Sequence, residues 1–330
     1  MDAGLITSML FATVVAGTPL IIVALGLLVS EKAGVLNLGA EGMMAMGAVA
    51  AFAVTHHSGS AWLGVLAGMG AGMAMALIFG VLTLSLLANQ VASGLALAIF
   101  GVGLAAFVGK PYEAVALQTV PPIRIPFIAD LPIVGEALYN QQALVYFSWA
   151  LFWGLLYFLY RSRAGLVLRA VGESPSSAHA IGYPVIRIRY LAVLFGGAMA
   201  GISGAFLSVF YTPMRAEGMV AGRGWIALAL VVFATWRPLR VMIGAYLFGG
   251  VMITQLFIRA RGCRSISPRS CYPPCPTGRP SWCWSSSRAT PTPSGSIRQC
   301  RSASRIGQTP DAPPAARCHG PQASVTVIMS

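Results

Sequence analysis

Charged side chains are scarce in this sequence. They make up 9% of its 330 residues, whereas 56% are hydrophobic. About a quarter of the residues in a soluble domain are charged, so this composition excludes an ordinary soluble protein. Apolar runs close to the roughly 18–20 residues that cross a bilayer recur through the first 258 positions. We therefore expect an all-α, polytopic transmembrane helix bundle of about eight apolar segments, at about 5–29, 35–55, 61–87, 91–109, 142–160, 191–212, 225–236 and 241–258.

Side chains suited to catalysis are also scarce. Residues 1–258 contain no cysteine, and their three histidines, His56, His57 and His179, fall in predicted loops. An intramembrane enzyme needs a nucleophile, base or metal site within its spans, so the pattern argues against that class. The only lysines, Lys32 and Lys110, do not complete the phosphate-binding motif GxxxxGK[ST]. We expect a chain that is not itself a catalyst and has no cofactor of its own.

Most of the positive charge lies at the end of the chain. Residues 1–258 hold 12 basic and 8 acidic side chains, whereas 259–330 hold 10 arginines and one aspartate. The net charge of +13 therefore belongs mainly to the tail and not to a basic surface of the bundle. The sequence predicts no nucleic-acid partner.

The composition changes abruptly after Ile258. Residues 259–330 are rich in Arg, Ser, Pro and Cys and contain all six cysteines and no apolar run. Such a segment buries too little apolar surface to fold. Cys271-x3-Cys275 is a lone pair, which argues against a zinc or disulfide module. Two interpretations stay open, a disordered basic tail and an out-of-frame tail whose frameshift near 258 removed a last span. We therefore divide the chain into a transmembrane domain, 1–258, and a disordered tail, 259–330.

The loop 161–190 sets the expected orientation. It holds five arginines and one acid, Glu173, and basic loops stay in the cytoplasm. Within it Ser174 can cap a short helix, Pro175 suits the first helical position, and Gly182 with Pro184 ends it. The loop is either a solvated connector or a docking helix for a partner that moves the adjoining spans.

Polar residues inside apolar runs mark a candidate path, because burying them in lipid is costly. Asn37 and Glu41 lie four apart, on one helix face, and Asn89 and Gln90 follow at the next polar break. The alternative for Glu41 is that it bonds backbone at a glycine-rich helix start. Glycines at four-residue spacing predict close helix packing at Gly64, Gly68 and Gly72, and at Gly197, Gly201 and Gly204.

Four blocks of the sequence carry a family resemblance. They are SEKAGVLNLGAEGMMAMGA (30–48), ANQVASGLALAIFGVGL (88–104), RSRAGLVLRAVGESPSSAHAIGYPV (161–185) and GRGWIALALVVFATWRPL (222–239). In this order they resemble permease subunits of ABC importers of the branched-chain amino acid and simple-sugar class, within it the sugar/nucleoside-type group. The resemblance covers about 1–258.

The resemblance implies a bacterial inner-membrane, multi-pass subunit for a simple sugar or nucleoside. It implies a pathway shared with a second permease subunit, driven by cytoplasmic ATPase subunits that bind ATP and Mg, and fed by an extracytoplasmic solute-binding protein. It also implies that 161–190 is the ATPase-coupling loop, with candidate residues Arg169, Glu173, Ser174, His179 and Gly182. The alternative function is a gradient-driven secondary transporter. That class uses midplane ionisable residues, and Glu41 is the one acid within a run.

Overall fold

The computed structural model describes residues 3–113, 115–117, 123–124, 140–214 and 218–265, all of which belong to one compact unit. The predicted tail, 259–330, lies outside these residues, except for helical backbone that continues from 258 to Ser265. Most of the proline-rich loop 110–141 also lies outside them.

All eight predicted apolar segments form helices. The helices in the described residues are α1 (Ala3–Lys32), α2 (Ala40–Ser58), α3 (Ala61–Gly80), α4 (Gln90–Gly109), α5 (Ala143–Arg161), α6 (Arg163–Glu173), α7 (Pro175–Ala180), α8 (Val185–Ala205), α9 (Arg223–Phe233) and α10 (Pro238–Ser265). Short π-helical turns extend α3 through Val81–Ser85 and α8 through Phe206–Tyr211. A 3-10 turn, Lys110–Tyr112, follows α4, and two-residue strands, Ile123–Arg124 and Asn140–Gln141, pair antiparallel. The protein is a polytopic helical bundle.

Six of the helical segments are long and apolar enough to cross a membrane. They are Thr7–Lys32, Ala61–Ser85, Gln90–Tyr112, Ala143–Arg161, Val185–Tyr211 and Pro238–Ile258. The other two predicted segments are helices α2 and α9. Helix α9 has 11 residues, about 16 Å at 1.5 Å per residue, which is roughly half of a 30 Å hydrocarbon layer.

The centre of the bundle consists of α1, α2, α3 and α8. Helix α1 is apolar on all sides and is buried without interruption from Leu20 to Ser30, as expected for a helix enclosed by others. Helix α8 packs on α1, α2 and α3, while α10 packs along α1. Helices α4, α5 and α10 present large apolar side chains outward, including Phe107, Trp153 and Leu247. Those outer faces suit lipid.

The predicted glycine faces pack against one another. A Cβ placed on Gly72 would lie 2.8 Å from the Cα of Gly201, and one on Gly47 would lie 2.6 Å from that same Cα. Gly68 approaches the Gly47 carbonyl, and Gly204 approaches the α2 backbone. Backbones this close leave no room for larger residues. The predicted close packing is confirmed, and it joins α2 and α3 to α8.

Candidate functional site

Helix α6 fixes the arginine-rich loop to the bundle. Ser162 caps it by accepting a hydrogen bond from the Gly165 N–H at 3.0 Å, which satisfies one of the open donors of its first turn. Leu168 and Val171 bury its inner face, and Gly172 lies directly against the carbonyl of Lys32 at the end of α1. The base of the loop is thereby held against α1.

Arginine 189 attaches the start of α8 to the residue that follows α1. Its Nε donates to the Ala33 carbonyl at 3.1 Å, immediately after the last turn of α1. The helix that carries it, α8, begins at Val185, so Arg187 and Arg189 belong to the helix and not to the loop. The sequence placed this start near 191, because charged residues end an apolar run before they end a helix.

Helix α7 projects from this base with one side chain buried. Ala178 is 4% exposed, whereas Ser176, Ser177 and His179 are exposed. Ile181 follows with 76% of its surface exposed, and Gly182 takes φ +95°, a conformation that glycine adopts without strain. The Tyr183 N–H donates to the Ala178 carbonyl at 3.1 Å and closes the turn. The loop therefore presents a short exposed helix on a rigid support.

Serine 174 occupies the predicted cap position of α7 but does not use its side chain as a cap. Its hydroxyl donates to the Ser177 hydroxyl at 2.8 Å, and it makes no cap bond to a backbone N–H. Pro175 is the first helical residue, as predicted. The predicted helix is present, and its start depends on the proline more than on the serine.

Three other predicted coupling residues lie around this helix without forming one cluster. The guanidinium of Arg169 lies over the Tyr160 ring, 5.5 Å from its centroid, and Glu173 is the exposed last residue of α6. Both side chains are close enough to Lys32 for an electrostatic interaction with its ammonium group. His179 is exposed on α7. The sequence did not predict α6, because its amphipathic pattern lies between arginines that indicated a loop.

Glutamate 41 joins the starts of two helices. It lies in the first turn of α2 and is 7% exposed. Its two carboxylate oxygens accept from the Gly222 N–H at 2.8 Å and from the Gly224 N–H at 2.7 Å. A carboxylate suits a helix start, where N–H groups have no helical partner and the macrodipole is positive. This geometry matches the alternative in which Glu41 bonds backbone at a glycine-rich helix start.

The side chains of the other three predicted path residues also accept hydrogen bonds from backbone N–H groups. Asn37 is fully buried and accepts from the Gly39 N–H at 3.0 Å. Gln90 accepts from the Leu36 N–H at 3.0 Å, and Asn89 caps α4 by accepting from Val91 and Ala92. Three of the four, Asn37, Glu41 and Gln90, support the non-helical segment 33–39 and the helices that meet it. Asn89 lies apart, exposed at the end of the bundle.

A second bridge connects α1 to the turn after α9. The Trp236 Nε1 donates to a carboxylate oxygen of Glu31, and Thr235 and Trp236 both have positive φ, 51° and 53°. Arg240 donates to the Thr235 hydroxyl at 2.8 Å. These side chains hold a turn that L-residues rarely adopt. The sequence showed Glu31 only as a polar break, since its partner is 205 positions away.

Comparison with known proteins shows the family of this chain. The sequence profile described as the permease component of the branched-chain amino acid transport system matches residues 9–267. The chain belongs to this permease family. The match contains every candidate residue above and extends beyond the predicted boundary at 258.

Several relatives within this permease family carry transport names. TsgC13 of Haloferax volcanii, provisionally named a glucose ABC transporter permease protein, is 46% identical over 252 residues, covering 75% of this chain and 77% of its own. NupQ of Bacillus subtilis, a guanosine ABC transporter permease protein, is 31% identical over 72% of this chain and 78% of its own. NupC of Lactococcus lactis, a nucleoside ABC transporter permease protein, is 31% identical over 70% and 77%.

Proposed function

We propose that this chain is the membrane-spanning permease subunit of an ATP-driven importer for a simple sugar or nucleoside. Its relatives are named for glucose, guanosine and nucleoside transport. The observation that carries the proposal is α7, an exposed helix mounted on a fixed base in a chain of this family. Such a helix fits a groove in a second protein.

The partners follow from this assignment. A second permease subunit shares the pathway, and an extracytoplasmic solute-binding protein delivers the solute. Cytoplasmic ATPase subunits bind ATP and Mg and receive α7. We place the chain in the bacterial inner membrane as a multi-pass protein with 161–190 in the cytoplasm, in line with the excess of basic residues at that end.

A continuous series of contacts can carry motion from α7 to the interior. Movement of α7 shifts α6, whose Gly172 lies on the end of α1. From α1, the Glu31–Trp236 hydrogen bond reaches the C-terminal end of α9. At its other end, α9 is bonded to Glu41 of α2. Each step is a packed or hydrogen-bonded contact, the kind of network through which coupling travels.

We place the solute path beside the junction of α2 and α9. Helix α9 spans about half the bilayer, and irregular backbone at membrane depth is tolerated where it lines a cavity. In this proposal Asn37, Glu41 and Gln90 shape the path by fixing backbone, and Asn89 caps the neighbouring α4.

Transport in vesicles tests the function. Vesicles that contain this chain, its partner permease and the ATPase should take up labelled glucose or guanosine when the solute-binding protein and ATP are present. Replacing the phosphate-loop lysine of the ATPase should abolish that uptake. A protonophore should leave it unchanged. Uptake that survives the ATPase substitution and stops with the protonophore would identify a secondary transporter.

A further inference from the structure

A deep apolar groove runs along the side of the bundle between α5 and α8. Its volume is about 750 Å³, and hydrophobic side chains and Gly154 line it throughout. Phe147, Gly154 and Phe158 lie on the α5 wall, Leu191 and Phe195 lie on the α8 wall, and Leu168 of α6 closes the inner end. Both walls belong to membrane-spanning helices, so the groove opens at acyl-chain depth.

Two arginines continue the groove walls toward the coupling-loop end. Arg161 follows Phe158 by three positions on α5, and Arg187 precedes Leu191 by four on α8, so each lies one turn beyond a lining residue on the same face. Both are exposed. No hydrogen bond or ion pair joins either guanidinium to another residue in the described part of the chain. The groove is therefore apolar along its length and cationic at one end.

We propose that this groove binds a phospholipid with an anionic headgroup, its acyl chain between α5 and α8 and its phosphate near Arg161 and Arg187. Arginine pairs well with phosphate, and basic residues at the cytoplasmic surface attract anionic lipid. Three residues of α6, Ala164, Val167 and Leu168, line the groove and would contact the acyl chain. The lipid would thus contact the base that supports α7.

Charge favours a lipid over a second copy of this chain. Two copies in a membrane share one orientation, so their inner ends would meet. Each would bring Arg161 and Arg187 toward the same cations of its partner, and like charges across an interface are unfavourable. An anionic headgroup supplies the opposite charge.

Native mass spectrometry of the delipidated full-length chain in neutral detergent tests the site. The probes are phosphatidylglycerol and phosphatidylcholine with identical acyl chains, and the readout is the apparent Kd of each. The unmodified protein should bind phosphatidylglycerol more tightly. The double variant Arg161→Gln/Arg187→Gln should weaken that binding about tenfold or more, to the phosphatidylcholine level. Arg237→Gln removes an exposed arginine that lies on neither groove helix and should leave both affinities unchanged.

A second variant tests the acyl-chain part. Gly154 lines the groove, and a Cβ there meets no atom within 4 Å, so we expect the side chain of Gly154→Leu to occupy the groove. It should weaken both lipids. Gly103→Leu is the matched control, an equally open glycine on α4. Equal affinities for the two lipids, or phosphatidylglycerol binding that survives both groove variants, would overturn the proposal. A change of oligomeric state in Gly154→Leu with unchanged lipid binding would assign the groove to a second copy.

Discussion

At the scale of single residues, Glu41 is the most informative side chain. It was singled out because an acid inside an apolar run is costly. Its two oxygens are bonded to backbone N–H groups of Gly222 and Gly224, which accounts for its presence without an ion or a catalytic step. This buried carboxylate joins α2 to the start of α9, and it is also a candidate boundary of the path.

Glu41→Gln tests that role. The amide keeps one acceptor oxygen but turns an NH₂ group toward an N–H, so one charge-assisted hydrogen bond is lost. We expect a cost of about 1.5–3 kcal/mol in stability. Folded protein in the membrane and solute uptake should fall together. Normal amounts of folded protein with uptake abolished would instead show that the carboxylate contacts the solute.

Two glycines of α3 allow the effect of helix–helix packing to be separated from that of helix propensity. Gly72 faces the α8 backbone, whereas a Cβ on Gly70 meets nothing within 4 Å. We expect Gly72→Ala to destabilise the bundle by about 1–3 kcal/mol, because the helices must move apart. Gly70→Ala should be neutral or slightly stabilising, because alanine has the higher helix propensity. Thermal unfolding in detergent, followed by size-exclusion chromatography, measures both. Equal effects would remove the close-packing explanation.

At the scale of elements, the sequence predicted the presence of the helices better than their first and last residues. Each of the eight apolar runs is a helix, because a long apolar stretch has few alternatives in a membrane. The predicted start of α2 is five positions early, because the apolar residues Val35, Leu36 and Leu38 lie ahead of the helix. The predicted start of α8 is six positions late, because Arg187 and Arg189 interrupt the apolar pattern inside the helix. Helix α6 was missed because its amphipathic residues are interleaved with arginine.

The site was predictable only where its signals are local. The turn residues of α7 follow one another in the chain, so Pro175 and Gly182 located it. The Glu41 contacts join residues about 181 positions apart, and the Glu31–Trp236 bond joins residues 205 positions apart. No local pattern encodes such pairs. They follow from helix packing, which requires the three-dimensional structure.

The proposed docking role of α7 can be tested at its C-terminal end. At Gly182, φ is +95°, and a β-branched residue there costs about 1–2 kcal/mol. Gly182→Val should distort the end of α7 and lower the amount of solute imported per ATP hydrolysed, without preventing membrane insertion. Combining it with Ser174→Ala should add little, since that hydroxyl bonds only to neighbouring serine hydroxyls. Unchanged coupling in the double variant would argue against α7 as the docking helix.

At the scale of the whole molecule, several basic side chains gather at one end of the bundle. The end that contains α6, α7 and the turn after α9 gathers Lys32, Arg169, Arg189 and Arg237. Three connections lead from it into the interior, through Gly172, Arg189 and Trp236. A motor that moved α7 would therefore move α1 and α9 as well. In the proposed importer, this is the end through which ATP hydrolysis would be coupled to the path.

The most direct measurement is photo-crosslinking from α7 in membranes that contain the cognate ATPase. A photoreactive residue at Ile181, which is 76% exposed, is compared with one at Trp62, which is 55% exposed. Trp62 lies at the start of α3, whereas the other end of that helical segment lies beside the start of α8. We predict an adduct with the ATPase from position 181 and none from position 62. No adduct from 181, or labelling of 181 by a membrane-impermeant reagent added outside the cell, would contradict the account.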